Sequence, residues 1–179
     1  MQSDLDMFFA NFSKNQRQKT PLEYEIDGGY QQHQIENVND NGEPALDLEY
    51  AMALVNPIEV ELYQVGDDVE GGWTDNLLDA IDGSYCTFEG GDVPGEDGIY
   101  PDNASGGYNH SENCGTYPAT KVISVSYAEN EHGAPFKYAV RQCQEFAKLG
   151  LMGVSVLFSS GDLYGRPLSY FHFPVLTRL

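Results

Sequence analysis

Glu43 and Asp47 lie four residues apart in the run GEPALDLEY, residues 42–50. On a helix that spacing puts both carboxylates on one face, about 6 Å apart. Two acids so close share protons, one pKa rising and the other falling. Such a pair can hold a base ready to activate a nucleophile in acid, although acids at a helix start also simply complement its dipole. A third acid, Asp162, follows the apolar run VSVLF (154–158) through Ser159-Ser160-Gly161. Small residues there let the backbone approach closely. Asp162 is then either a turn former bonded to its own backbone or, when protonated, a donor to developing negative charge. Other groups carry less. His33, His110, His132 and His172 have no metal-ligand spacing and read as ordinary polar residues. Glu89, Asp92, Glu96, Asp97 and Asp102 form a glycine-bearing acidic stretch that lacks an EF-hand register and reads as a solvated loop. Ser155 lacks a Gly-X-Ser-X-Gly frame, and no glycine-rich phosphate loop follows a strand.

These acids need elements to position them. TPLEYEI (20–26) alternates apolar and polar residues and ends at Asp27-Gly28-Gly29, predicting a strand and a turn. From Glu43 the pattern is helical, with Pro44 in the first turn, Leu46, Tyr50, Ala53 and Leu54 on one face, and Asn56-Pro57 as the stop. IEVELYQV (58–65) reads as a strand and 73–81 as a short helix bearing Trp73, Leu77, Leu78 and Ile81. A long loop from Gly83 to Thr120 follows, of the kind that is functional or a surface elaboration. KVISVSY (121–127) predicts a strand covered on both faces. Residues 134–149 predict a helix with Phe136, Ala139, Val140, Cys143, Phe146 and Ala147 on its apolar side, and VSVLF a second buried strand. The alternation predicts an α/β domain with a mainly parallel sheet. Asp162 then stands at the carboxyl end of a strand, where such sheets gather ligands and catalytic groups.

Composition narrows the partners. The chain has 179 residues, 28 acids against 9 Lys and Arg, and a net charge of −19. Of those acids, 22 fall between Thr20 and Thr120, a window without Lys or Arg. Nucleic acid and anionic membranes are poor partners for it, since binding polyanions takes clustered cations. With 41% apolar and 12% aromatic residues the chain can bury a core. No apolar run reaches the roughly 18 residues of a membrane span. The N-terminal MQSDLDMFFANFSKNQ does not read as a signal peptide, yet Asn-X-Ser sequons stand at Asn11, Asn103 and Asn109. Cys86, Cys114 and Cys143 match no zinc pattern. Two can pair with one left over, or all three can be buried free thiols.

Together, Glu43, Leu46, Asp47 and Tyr50, in a Glu-X-X-Leu-Asp-X-X-Tyr frame, and Ser160-Gly161-Asp162 resemble the sedolisins, the serine-carboxyl peptidases that include fungal tripeptidyl-peptidases. The segments YAMALVNP, LYQVGD, LDAIDGSYCTFEGGD, GIYPD and KLGLMGVSVLFSSGD extend the resemblance over nearly all of residues 2–162. It implies a partial subtilisin-like α/β fold, with residues 1–162 as the N-terminal part of a catalytic domain and 163–179 as a divergent tail. It implies that Glu43 is the general base for a serine, that Asp47 orients Glu43, and that Asp162 stabilises the oxyanion. The expected substrate is a peptide or protein, cleaved in acid by a secreted parent made with a prodomain. The family's serine lies in a downstream Ser-Gly-Thr-Ser motif that this chain does not contain. The family's calcium site also lies downstream, so no cofactor is expected here, and Cys143 is expected to have its partner there. The polypeptide alone is therefore expected to be inactive, as a piece of a longer gene or gene model. The competing expectation is a non-catalytic peptide- or calcium-binding pseudo-protease fragment.

Overall fold

The computed structural model describes residues 2–31, 38–86, 92–127 and 134–160. The β-branched and aromatic runs form strands at the expected places. β1 (Leu22–Ile26) lies parallel to β2 (Glu61–Val65), with Leu22 opposite Glu61 and Ile26 opposite Val65. β3 (Val122–Val125) lies parallel to β4 (Ser155–Phe158), with Val122 opposite Ser155 and Val125 opposite Phe158. Parallel neighbours need a crossover. α2 (Val38–Val55) supplies it between β1 and β2, and α5 (Phe136–Leu151) between β3 and β4. The α/β class holds, but among the described residues the expected sheet is two separate parallel pairs.

One helix bridges them. α3 (Thr74–Ile81) sends Leu77 into a cluster with Ile26, Tyr63, Val65 and Ala80, and Leu78 into one with Tyr85, Ile123, Val125, Leu149 and Val154. Ile81 packs against both clusters. Tyr63 adds a polar tie: its hydroxyl donates to the Pro118 carbonyl at 2.7 Å and accepts from the Thr120 amide at 3.2 Å. After β1 the chain must turn sharply under β2. A Cβ at Gly29 would sit 2.1 Å from the Gln64 carbonyl oxygen, so only glycine fits there.

The faces of two helices differ from the sequence expectation. Residues 2–12 form α1, and Leu5 and Phe9, one turn apart, bury against Leu48, Met52 and Leu62. With α1 on that side, α2 turns Leu48 and Met52 inward, while Leu46, Tyr50 and Leu54 are 50%, 52% and 78% exposed. Phe9 is fully buried, so Phe9→Ala is expected to destabilise the protein by about 3–5 kcal/mol in urea unfolding.

α5 differs more. Phe136, Ala139, Val140, Cys143 and Ala147 face solvent, Phe146 is half-buried, and Tyr138, Glu145 and Leu149 are buried instead. The carboxyls of α3 and the following loop take donors from the side that packs on them, Tyr138 and Arg141, while Leu149 joins the Leu78 cluster. β3 alternates exposed and buried residues and is covered on one face, not both. β4 is more open still, with Leu157 and Phe158 exposed.

The stretch from Gly83 to Thr120 starts as α4 (Gly83–Cys86) and is held by named contacts. Cys86 pairs with Cys114, leaving Cys143 free and exposed. Asp27 and Asn113 exchange hydrogen bonds at 2.8 and 2.7 Å. Asp67 accepts from the amides of Val69, Glu70 and Gly71 and, through its other oxygen, from that of Tyr108. Asp97 and Asp102 are buried rather than solvated, because Asp97 accepts from Tyr138 Oη and the Val93 amide and Asp102 from the Ala104 amide. Glu89 lies outside the described residues. The disulfide spans 28 residues. Replacing both cysteines by serine is expected to cost about 2–4 kcal/mol, read as a lower thermal midpoint.

Candidate active site

The two carboxylates of Glu43 and Asp47 project from α2 one turn apart, Glu43 exposed and Asp47 half-buried. Burial pushes the Asp47 carboxyl above the usual range, and a hydrogen bond from Ser126 works against that rise. The environment of Asp47 thus comes first from packing, where sequence reasoning expected the charge of Glu43 to dominate. Ser126 is the residue after β3, so Asp47 meets the carboxyl end of a parallel strand, the end where such folds keep their chemistry.

β4 reaches the same end. Its last residue pairs with Val125, and the Ser159 amide donates to the Val125 carbonyl at 2.9 Å. Ser159 therefore leaves the strand next to Ser126. Asp162 lies outside the described residues. Sequence reasoning missed Ser126. Its signal was present: it is the first polar residue past the core valine of KVISVSY, on a strand aimed at Asp47.

A second group of acids sits under α3. Asp75 is fully buried and Asp79 is 1% exposed. Asp75 accepts from Tyr85 Oη at 2.7 Å and from Arg141 Nη1 at 3.0 Å, and Arg141 Nη2 stands 3.8 Å from Asp79. The Arg141 guanidinium lies 3.9 Å above the Tyr85 ring. Burial first, then the charge of Glu112, raises the carboxyls of both Asp79 and Asp92. Asp79, Cys86 and Glu112 bring ligand atoms within 4.8 Å of one another, but Cys86 is spent in the disulfide and offers no thiolate. These acids hold α3, α5 and the loop together by hydrogen bonds and one cation. Of the histidines, His110 is exposed against the Tyr108 ring, and His33, His132 and His172 lie outside the described residues.

Comparison with known proteins decides the kinship. The chain is 45% identical over 170 residues to aorsin of Aspergillus oryzae, covering 90% of this chain and 26% of aorsin. It is 44% identical over 168 residues to tripeptidyl-peptidase SED1 of Arthroderma otae, covering 90% of this chain and 24% of that protein. Over this span the relatives of the chain are fungal peptidases of the sedolisin type. A third fungal sedolisin, tripeptidyl-peptidase sed1 of Aspergillus fumigatus, is 36% identical over 168 residues, again 90% of this chain and 25% of the relative. The chain thus spans about a quarter of the length of these relatives. No family model matches it. No solved structure matches it either.

Proposed function

We propose that this chain supplies the acid–base part of a secreted, acid-acting serine peptidase, with Glu43 as general base, Asp47 as the residue that orients it, and Asp162 as the protonated donor to the oxyanion. One observation carries the reading: an exposed Glu43 and a half-buried Asp47 share one face of α2, and Asp47 is bonded by Ser126 at the carboxyl end of β3. A base must reach the proton it removes, and Glu43 is open to solvent. Its orienting partner must be held still. Burial and Ser126 do that for Asp47.

The nucleophile must come from elsewhere, since no serine of this chain stands in a Ser-Gly-Thr-Ser context. The two βαβ units would then be part of a larger subtilisin-like sheet, and peptide or protein would be the substrate. No step draws on a cofactor held by this chain. In the serine's attack, its hydroxyl proton passes to a Glu43 oxygen while the new oxyanion accepts a hydrogen bond from the Asp162 carboxyl. That division needs one carboxyl ionised and another protonated, a condition met in acid.

The chain alone is expected to turn over no tripeptide-releasing substrate at about pH 4, near unperturbed carboxyl pKa values. The decisive experiment joins it to the aorsin sequence that follows the matched quarter. The chimera is expected to cleave in acid, and Glu43→Gln to lower kcat about 10²- to 10⁴-fold, the usual worth of a positioned base. Full activity in Glu43→Gln would overturn the assignment. A chimera that binds peptide without cleaving it would favour a non-catalytic pseudo-protease.

A further inference from the structure

Three Asn-X-Ser sequons take no part in the chemistry above, and the fold treats them differently. Asn11 sits in the last turn of α1, where its carboxamide nitrogen donates to the Met7 carbonyl at 2.9 Å. That nitrogen is the atom a glycosyl transfer needs. Ser13, the sequon's hydroxyl residue just past α1, turns its hydroxyl away to donate to Asn15 Oδ1 at 3.2 Å.

Asn103 and Asn109 stand in irregular chain inside the Cys86–Cys114 loop. Both are exposed, as are Ser105 and Ser111 two residues on. No hydrogen bond ties either carboxamide among the described residues. The segment joining them is a closed turn: the Asp102 amide donates to the Tyr108 carbonyl at 2.9 Å, and the Gly107 amide to the Ala104 carbonyl at 3.0 Å. Asp67 anchors its base by accepting from the Tyr108 amide. Asn103 and Asn109 each follow one partner of that closure, so both point to solvent from the same place. Val69, 46% exposed, lies beside the turn, with Cγ2 3.8 Å from where a Cβ on Gly106 would be.

We propose that Asn103 and Asn109 are N-glycosylation sites and that Asn11 is not. The co-substrate class is a lipid-diphosphate-linked oligosaccharide. The asparagine nitrogen bonds to the anomeric carbon of the donor sugar, the sugar–phosphate bond breaks, the lipid diphosphate leaves with the electron pair, and one amide proton passes to base. The two neutral, hydrated sugars would then cover the turn and the neighbouring Val69 on a face rich in carboxylates. The disulfide fits the same oxidising compartment. The inference rests on export of the protein, which belongs to the proposed function.

The test is to translate the full chain behind a cleavable signal peptide in the presence of endoplasmic-reticulum microsomes, with signal cleavage scoring import. The imported chain is expected to carry two glycans removable by peptide N-glycosidase. Ser105→Ala and Ser111→Ala should each remove one, the double variant both, and Ser13→Ala none. An imported chain with fewer than two glycans, or loss of a glycan in Ser13→Ala, overturns the proposal. Because the microsome assay supplies its own signal, a natural protein that stays inside the cell would sink the secretion reading and leave the acceptor sites standing.

Discussion

Between about pH 4 and pH 8 the protein is expected to lose several kcal/mol of stability, enough to approach unfolding for a domain whose total is about 5–15 kcal/mol. Asp27 is fully buried, and burial pushes its carboxyl up to about 7 against the opposing Asn113 amide. Burial likewise takes Asp97 to about 6, despite hydrogen bonds from Tyr138 and the Val93 amide. A raised carboxyl pKa means that the folded state keeps a proton the unfolded chain has released. The contribution is whole below the unfolded value of 3.8 and is lost as pH rises through 6 for Asp97 and 7 for Asp27. At most this is about 4 kcal/mol from Asp27 and about 3 kcal/mol from Asp97. Asp79 and Asp92 push in the same direction.

Two acids act oppositely. Burial raises Asp82, but Lys148 and Ser84 outweigh it and hold the carboxyl well below its usual range. Four backbone amides do the same for Asp67. Their contributions are present above the unfolded value and fade in stronger acid. The stability maximum is therefore expected near pH 4. Urea midpoints at pH 4, 6 and 8 check this, and Asp27→Asn should flatten the profile. Equal midpoints at pH 4 and 8 would refute it.

The second large effect is expected at Arg141. Its guanidinium stands against Asp75 and Asp79, which have almost no solvent access. Arg141→Ala leaves these carboxylates without that cation, and removing one partner of a buried pair costs about 3–5 kcal/mol. Burial raises both carboxyls, so the loss should grow as pH rises and they ionise, and shrink in acid, where protonated carboxyls no longer need the charge. Thermal midpoints of wild type and variant at two pH values measure it, and a pH-independent difference would show that packing alone is lost.

All four strands of the described residues were legible because β-branched and aromatic runs between turn residues have few alternatives. Helix faces were harder. On α5 the apolar stripe through Phe136 and Val140 looked like a core face, but the carboxyls of Asp75, Asp79 and Asp97 drew Arg141 and Tyr138 to the packed side. No local period encodes a demand set by residues some 60 positions away. α1 went unread because its apolar pair Leu5 and Phe9 is interrupted by acids, and with it went the inward face of α2. Glu43 and Asp47 were legible from spacing, whereas Ser126, which steadies Asp47, depends on how β3 meets α2.

α3 touches both strand pairs through Leu77, Leu78 and Ile81, and this has a consequence for local opening. Neither pair can shed its cover without the helix leaving the other, so their backbone amides should exchange with solvent deuterium as one cooperative unit. In such a measurement β1–β2 and β3–β4 would share one opening free energy, while exposed turns such as 103–106 exchange early.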